Sequence, residues 1–447
     1  MATFANQVDR VELADVGTAR VYEHGWQSWS PTACYPATAT SARPAHGWQL
    51  SMRFRPEVPP PADGFQAEGL LVVDPGHEAL GEPVRVYSAR TPAVRVPTIR
   101  ARLTGQALEV TANGPVRVEL VQGSLNEGLA RFGDRLGAAM GVTPRRAPTV
   151  WCSWYHYFLD VTESDIVENL EAITAHDLPV DVVQVDDGWQ SGIGDWLELS
   201  DRFSSTRALA ARIRDCGRRA GIWLAPFIAG ADSALAREHP DWLLGDAGHN
   251  WGQRLFGLDL THPAVQAYLH QVFTGLHAQG YDYFKLDFLY GGALPGLRHR
   301  PCSGEEAYRT GLQVIRDAVG PDCYLLGCGA PMLPSIGIVD AMRVSSDTYD
   351  PTDAESGQNV LRGRANIEAR AWQQGRLWVN DSDSLVARPR FDGREAWASV
   401  IETYGGLRSV SDRIGDLDDW GLQTTRRVLS SAPPPTPFAS LPRLCDG

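Results

Sequence analysis

Lys285 is the single lysine among the 41 basic residues of this chain, and it stands two positions before Asp287 in the run Tyr283, Phe284, Lys285, Leu286, Asp287, Phe288. Residues two apart in a strand share a face, so ammonium and carboxylate would project together. Arginine is a rigid planar fork and lysine a compact charge on a flexible stem, so a chain that otherwise uses arginine has a reason for lysine here. Polar and aromatic residues also end other apolar runs: Trp154 with Tyr155, Asp186 with Asp187, Trp223, Cys328, Arg343 with Asp347, and Asp381 with Asp383. No histidine pair has metal spacing, and no glycine-rich phosphate loop is present. Several carboxylates with tryptophans, a lysine and an arginine suit sugar chemistry. Two carboxyl groups flank a glycosidic bond, ring faces stack on the sugar and charged groups grip its hydroxyls. A lone strand lysine also suits a Schiff-base enzyme of the class I aldolase kind. There, however, Asp287 would keep the amine charged.

The elements that must position these groups change character near residue 145. Before it, short β-rich runs such as Val84 to Tyr87, Val94 to Val96 and Val116 to Val121 are separated by Gly, Pro and Asn turns. They read as an antiparallel β-sandwich over 1–124, followed by a helical linker over 125–145. Beyond that, apolar strands alternate with amphipathic helices, the pattern of a parallel sheet. Eight runs read as strands: Thr149 to Trp154, Val180 to Asp186, Gly221 to Phe227, Tyr283 to Phe288, Tyr324 to Cys328, Ala341 to Ser345, Leu377 to Asp381 and Leu407 to Ser411. Helical stretches between them include 163–176, opened by a Thr162/Asp165 capping box, and 263–279, opened by Thr261. Eight such units give an α/β fold, a (β/α)₈ TIM barrel over 146–431, with a Pro-rich tail over 432–447. Active sites of such barrels lie at the C-terminal strand ends, where the polar residues above are found.

Composition excludes several partners. The 447 residues are 43% hydrophobic and 21% charged, enough for a large core. A formal net charge of −13 argues against nucleic acid or an anionic membrane surface and for a neutral ligand. No basic n-region with an apolar h-region opens the chain, and no run reaches a membrane span, so a soluble, unexported protein is expected. Seven scattered cysteines without CxxC pairs suit reduced thiols in a cytoplasm. Neither cofactor nor metal is expected, and the oligomeric state is not legible.

The runs WCSWYHYF (151–158), VDDGW (185–189), GIWLAPF (221–227), YFKLDFLY (283–290), LGCGAP (326–331) and MRVSSDT (342–348) resemble, in order, the α-galactosidases of glycoside hydrolase family 36. In the N-terminal domain, HGWQSWSP (24–31) looks like the family's loop that carries a tryptophan into the active site. The resemblance implies a retaining α-galactosidase acting on small galacto-oligosaccharides, with Asp287 as nucleophile and Asp347 as general acid/base. It further implies that Asp186 and Asp187 bind the 4- and 6-hydroxyls, that Trp223 and Trp29 form apolar walls, and that Lys285 and Cys328 reach the 2- and 3-hydroxyl side. Tyr155 joins the expected binding residues. Retention requires the two carboxyls about 5 to 5.5 Å apart, which barrel strands four and six can supply at one mouth. Lys285 is expected to stabilise the charged form of Asp287, and Arg343 to hold a hydroxyl and orient the neighbouring carboxylate.

The sequence departs from the family pattern in places. After strand eight only 412–447 remain, so the usual C-terminal β-domain is expected to be absent or vestigial. Ser382 and Ser384 stand where relatives tend to have Pro and Cys, leaving Asp381 and Asp383 as supporting groups. Asp350 and Asp353 compete with Asp347 but fall farther into the loop. A galactosyl-transferring enzyme would use the same carboxylates, and a carbohydrate-binding protein that has lost activity is the further alternative.

Overall fold

The computed structural model describes residues 4, 6–41, 50–76, 82–348 and 358–435. Nine strands come first: β1 (Asn6–Glu12), β2 (Arg20–Glu23), β3 (Ala33–Pro36), β4 (Phe65–Glu68), β5 (Leu70–Asp74), β6 (Val84–Ala89), β7 (Thr98–Thr104), β8 (Ala107–Ala112) and β9 (Val116–Val121). They pair antiparallel into one sheet of order β1-β8-β7-β4 and another of order β3-β2-β5-β6-β9. Alternation along each strand turns Val11, Val21, Phe65, Leu71, Val73, Ile99, Leu108 and Val110 into one shared apolar cluster. This is the expected sandwich. A helix, Leu125–Ala139, leads away from it, closed at its start by a Ser124/Glu127 capping box.

Eight parallel strands follow: β10 (Thr149–Cys152), β11 (Val182–Val185), β12 (Arg219–Leu224), β16 (Tyr281–Leu286), β17 (Tyr324–Gly327), β18 (Ala341–Arg343), β19 (Val379–Asp381) and β20 (Arg408–Val410). Their order is β19-β18-β17-β16-β12-β11-β10-β20, and parallel bridges Asp381 to Leu407 and Leu385 to Val410 join the two edges. All eight expected strands are present. Most end earlier than expected because the polar residues at their C-termini turn out of the ladder; Trp154 and Tyr155 enter a short helix, Trp154–Tyr157. One parity of strand residues fills the barrel interior, with Val150, Val182, Tyr283, Tyr324, Leu326, Ala341, Val379 and Leu407 in one cluster. Tyr283 and Tyr324 stack at 5.6 Å there. Gly221 makes room for them, since a Cβ at that position would lie 3.0 Å from the Tyr283 ring. Lys285 and Asp287 continue the Tyr283 face upward to the mouth.

The outer helices cap as their sequences dictate, with one correction. The Thr162/Asp165 box opens helix Glu163–Ala175, which buries Ile166, Asn169, Leu170 and Ile173. Helix Pro263–Gln279 is capped by His262, whose ring nitrogen accepts from the Ala264 amide, and not by Thr261. The Thr261 hydroxyl is already donated to Asp259 at 2.7 Å. Between β12 and β16 lies a small antiparallel sheet not foreseen in the sequence: β13 (Ile228–Gly230), β14 (Leu243–Asn250) and β15 (Gln253–Leu258). No helix among the described residues is long and apolar enough to cross a membrane. Cys152, Cys216, Cys302, Cys323 and Cys328 are free thiols. Cys34 is disulfide-bonded, against the expectation of seven reduced thiols. Tertiary proximity makes such a pair, and sequence spacing carries no trace of it.

The segment between β2 and β3 leaves the sandwich and docks on the barrel. The Ser28 amide donates to Ala330 O at 3.1 Å and the Met332 amide to Trp26 O at 3.0 Å. The clamp on this segment is Arg370, a fully buried guanidinium with no acidic partner among the described residues. It donates to Ser28 O (2.6 Å), Gln27 O (3.0 Å), Ser30 O (3.0 Å) and, beyond the end of β18, Val344 O (2.8 Å). Burial pushes this arginine down to about 10, the expected cost of holding a cation on carbonyl dipoles alone. Arg370→Met would strand these acceptors in a dry interface and should lower the unfolding free energy by about 3 kcal/mol or more. Denaturant titration measures this, and a loss below about 1 kcal/mol would show that water replaces the clamp at little cost.

Candidate active site

Lys285 and Asp287 emerge on the interior face at the top of β16. The Lys285 ammonium does not rest on Asp287; it meets Asp186 Oδ2 at 2.9 Å, at the end of β11. Alternation put the two side chains on one face correctly, but a lysine stem is long enough to cross the barrel to a carboxylate on another strand. Burial works against the ammonium, yet the negative groups around it, Asp186 foremost, together hold Lys285 well above the ordinary lysine range. Asp186 Oδ2 also accepts from Gln184 Nε2 (2.6 Å) and from the Cys152 thiol (3.2 Å), and its Oδ1 accepts from the Asp187 amide (3.0 Å).

Asp287 is oriented by two N–H groups. Trp223 Nε1 donates to its Oδ2 at 3.1 Å and the Phe288 amide to its Oδ1 at 2.8 Å. Trp223, expected only as an apolar wall, is therefore a hydrogen-bond donor. Phe288 itself turns into the left-handed region, at φ 50°. A bulky residue rarely accepts that conformation, and such outliers concentrate at functional sites. Trp29, brought in by the docked segment, meets Phe288 edge-on at 5.0 Å. Gly329 lets the two approach: at φ +53° a Cβ there would lie 2.9 Å from the Trp29 ring and 3.0 Å from the Phe288 amide nitrogen.

Arg343, at the end of β18, divides its guanidinium among three carboxylates. Nε meets Asp381 at 2.9 Å, Nη1 meets Asp347 at 3.0 Å and Nη2 meets Asp383 at 2.6 Å. It orients carboxylates as expected, and this shared grip is its observed use. Asp383 is buried and fully engaged: Thr348 donates its amide (2.7 Å) and hydroxyl (2.9 Å), and the Tyr155 hydroxyl adds a further bond. Tyr155 thus braces the turn that carries Asp347. Asp347 itself leaves 47% of its side chain open to solvent. Asp350 and Asp353 lie outside the described residues.

Two carboxyls depart from ordinary behaviour. Asp187, held by Gln190 Nε2 (2.6 Å) and Trp251 Nε1 (2.8 Å), is pushed up to about 7, first by burial and then by the charges of Asp186 and Asp287. Asp347 is likewise raised to about 7 by loss of hydration among the surrounding groups, then by Asp383 and Asp287, with Arg343 opposing. Cys328 is fully buried, its thiol pushed up by burial and by Asp287, so it stays a neutral S–H. The sequence offered a signal for Gln184 and Cys152, which share the interior parity. It offered none for Trp251, which arrives from the unforeseen hairpin 64 positions after Asp187.

Comparisons with known proteins bear on these residues. The melibiase family model matches residues 138–303, a stretch that includes Asp186, Asp187, Trp223, Lys285 and Asp287. A probable α-galactosidase C of Aspergillus flavus is 31% identical over 208 residues, covering 41% of this chain and 27% of the relative. The chain thus spans about a quarter of the length of the curated relatives it matches. The α-galactosidase TtGalA from Thermus thermophilus, solved with p-nitrophenyl α-D-galactopyranoside, superimposes with a TM-score of 0.78 at 28% identity, over 94% of this chain and 88% of that one. The family 36 α-galactosidase AgaA from Geobacillus stearothermophilus shares the fold, with a TM-score of 0.64 at 15% identity over 96% and 62% of the two chains.

The raised carboxyls have a consequence for stability. Between the ordinary value of 3.8 and about 7, folded Asp187 and Asp347 keep protons that the unfolded chain has released. Their contribution to stability is therefore lost as pH rises through that window. Denaturation midpoints at about pH 5 and about pH 8 should show the wild type losing stability relative to Asp187→Asn, which has no proton to release there. Parallel behaviour of the two proteins would contradict the assignment.

Proposed function

We propose that this chain, a member of the melibiase-type α-galactosidases of glycoside hydrolase family 36, cleaves terminal α-D-galactosyl linkages of galacto-oligosaccharides by double displacement. The observation that carries the reading is the pair at the barrel mouth: Asp287, oriented by two N–H groups, and the solvent-open, proton-retaining Asp347 on the Arg343 hub. Asp287 attacks the anomeric carbon while Asp347 gives its proton to the departing oxygen, leaving a glycosyl ester on Asp287 and a neutral alcohol. Asp347, now a carboxylate, takes a proton from water as the water oxygen attacks the same carbon and frees Asp287. Asp186, Asp187 and Lys285 hold the ring hydroxyls, and Trp29 and Trp223 flank the sugar. The protonated state of Lys285, set by Asp186, disfavours Schiff-base chemistry, which needs a free amine. We place the enzyme in the cytoplasm on the strength of its five free thiols; the Cys34 disulfide falls outside that support.

Product analysis by NMR on an aryl α-galactoside should find the α-anomer first, and an initial β-anomer would remove Asp287 from the nucleophile role. Asp347→Ala should lower kcat/KM roughly 100- to 10,000-fold on substrates with poor leaving groups. Asp287→Ala should abolish turnover, with azide restoring it as a β-galactosyl azide. Lys285→Arg should impair kcat/KM strongly, because a rigid fork cannot reproduce a single ammonium contact on Asp186; near-normal activity would make the lysine incidental.

A further inference from the structure

Trp251 occupies a position that its own local structure does not favour. β14 ends at Asn250 and β15 begins at Gln253, so Trp251 and Gly252 form a two-residue hairpin turn, with φ of 50° and 71°. A turn with both central residues in the left-handed region selects Asn, Asp or Gly at the first position, and a bulky aromatic is disfavoured there. Gly252 supplies the usual second residue. What Trp251 supplies lies at the active site. Its indole N–H donates to Asp187 Oδ2 at 2.8 Å. Its ring packs against Phe288 at 4.8 Å and edge-on against Trp223 at 6.3 Å, the two residues whose N–H groups orient Asp287.

We propose that Trp251 is a positioning residue that fixes Asp187 for sugar recognition, with the β14–β15 hairpin as the scaffold that delivers it. The geometry of Asp187 carries the argument. Gln190 occupies Oδ1 and Trp251 occupies Oδ2, one donor on each oxygen, so the remaining acceptor directions are set by those two bonds. Gln190 lies three residues away on the same loop and moves with Asp187. Trp251 comes from an independent element and ties the carboxylate to the barrel wall. The hairpin is itself anchored: the Tyr290 hydroxyl donates to Ala247 O at 2.6 Å, and a Cβ on Gly257 would lie 2.5 Å from Gly291 O. A polar contact delivered by an anchored hairpin makes hydroxyl recognition directional, since a carboxylate that could rotate would accept a displaced hydroxyl as readily as the correct one.

The inference rests on the reading of Asp187 as a sugar-binding group, and the test separates the two. Steady-state kinetics on an aryl α-galactoside are compared for the wild type, Trp251→Phe, Asp187→Asn and the double variant. Trp251→Phe keeps a ring in the turn and removes the N–H. It should raise KM roughly 10- to 100-fold with kcat changed far less, the loss of one hydrogen bond to a charged acceptor. In the Asp187→Asn background the same substitution should cost less than roughly threefold, because its partner is already altered. Gly252→Val, which strains the turn while keeping the indole, should shift KM in the same direction by a smaller factor. A Trp251→Phe enzyme with unchanged KM, or one with an equal loss in both backgrounds, overturns the positioning role. A wild type without turnover would instead overturn the functional reading beneath it.

Discussion

Six carboxylates crowd the mouth of this barrel, and two cations hold four of them. Lys285 takes Asp186, and Arg343 takes Asp347, Asp381 and Asp383, while Asp187 and Asp287 rest on N–H donors alone. Like charges gathered in partly dry surroundings cannot all ionise, so burial and mutual repulsion keep protons on some of them. Burial and the neighbouring carboxylates raise Asp187 and Asp347 in this way, and at Asp347 they prevail over the Arg343 charge. Parallel strands make the crowding possible, since each delivers its C-terminal residue to one ring at a fixed height.

The second layer of the design is mechanical. Asp347 sits on a turn braced by Tyr155, Thr348 and Asp383, and Arg343 links that turn to β19. On the opposite side, Phe288 adopts a left-handed backbone just after its amide meets Asp287, and Gly329 gives up its side chain so that Trp29 can reach Phe288. Local conformational cost is accepted at several points around the sugar site and is offset by a densely packed barrel beneath.

Much of this was legible in the sequence because it follows from period and position. The parity of Tyr283, Lys285 and Asp287 placed two site residues on the interior face, and eight apolar runs gave the barrel and its order of elements. What could not be read is set by reach and by distant neighbours. A lysine stem can cross to Asp186 as easily as it can lie beside Asp287, and no spacing rule distinguishes the two. The cap at His262 displaced Thr261 because Asp259 had already taken the threonine hydroxyl. Trp251 was hidden because a hairpin inserted between barrel strands breaks the alternation from which sites are inferred, and only the Asn250, Trp251, Gly252 turn marked it.

The docked segment between β2 and β3 has a consequence for how such a protein is assembled over evolutionary time. Trp29, at the barrel mouth, belongs to the sandwich, and its segment is held in place by Arg370, a residue of the barrel, through carbonyls of both. Tyr22 of β2 donates to Ala369 O at 3.0 Å just beside it. The carboxylates of the barrel mouth and the tryptophan that faces them are thus encoded in separate modules, with one guanidinium at the centre of the joint. Gene rearrangement could exchange either module only with a partner that preserves that joint, so the two halves are expected to be inherited as a pair.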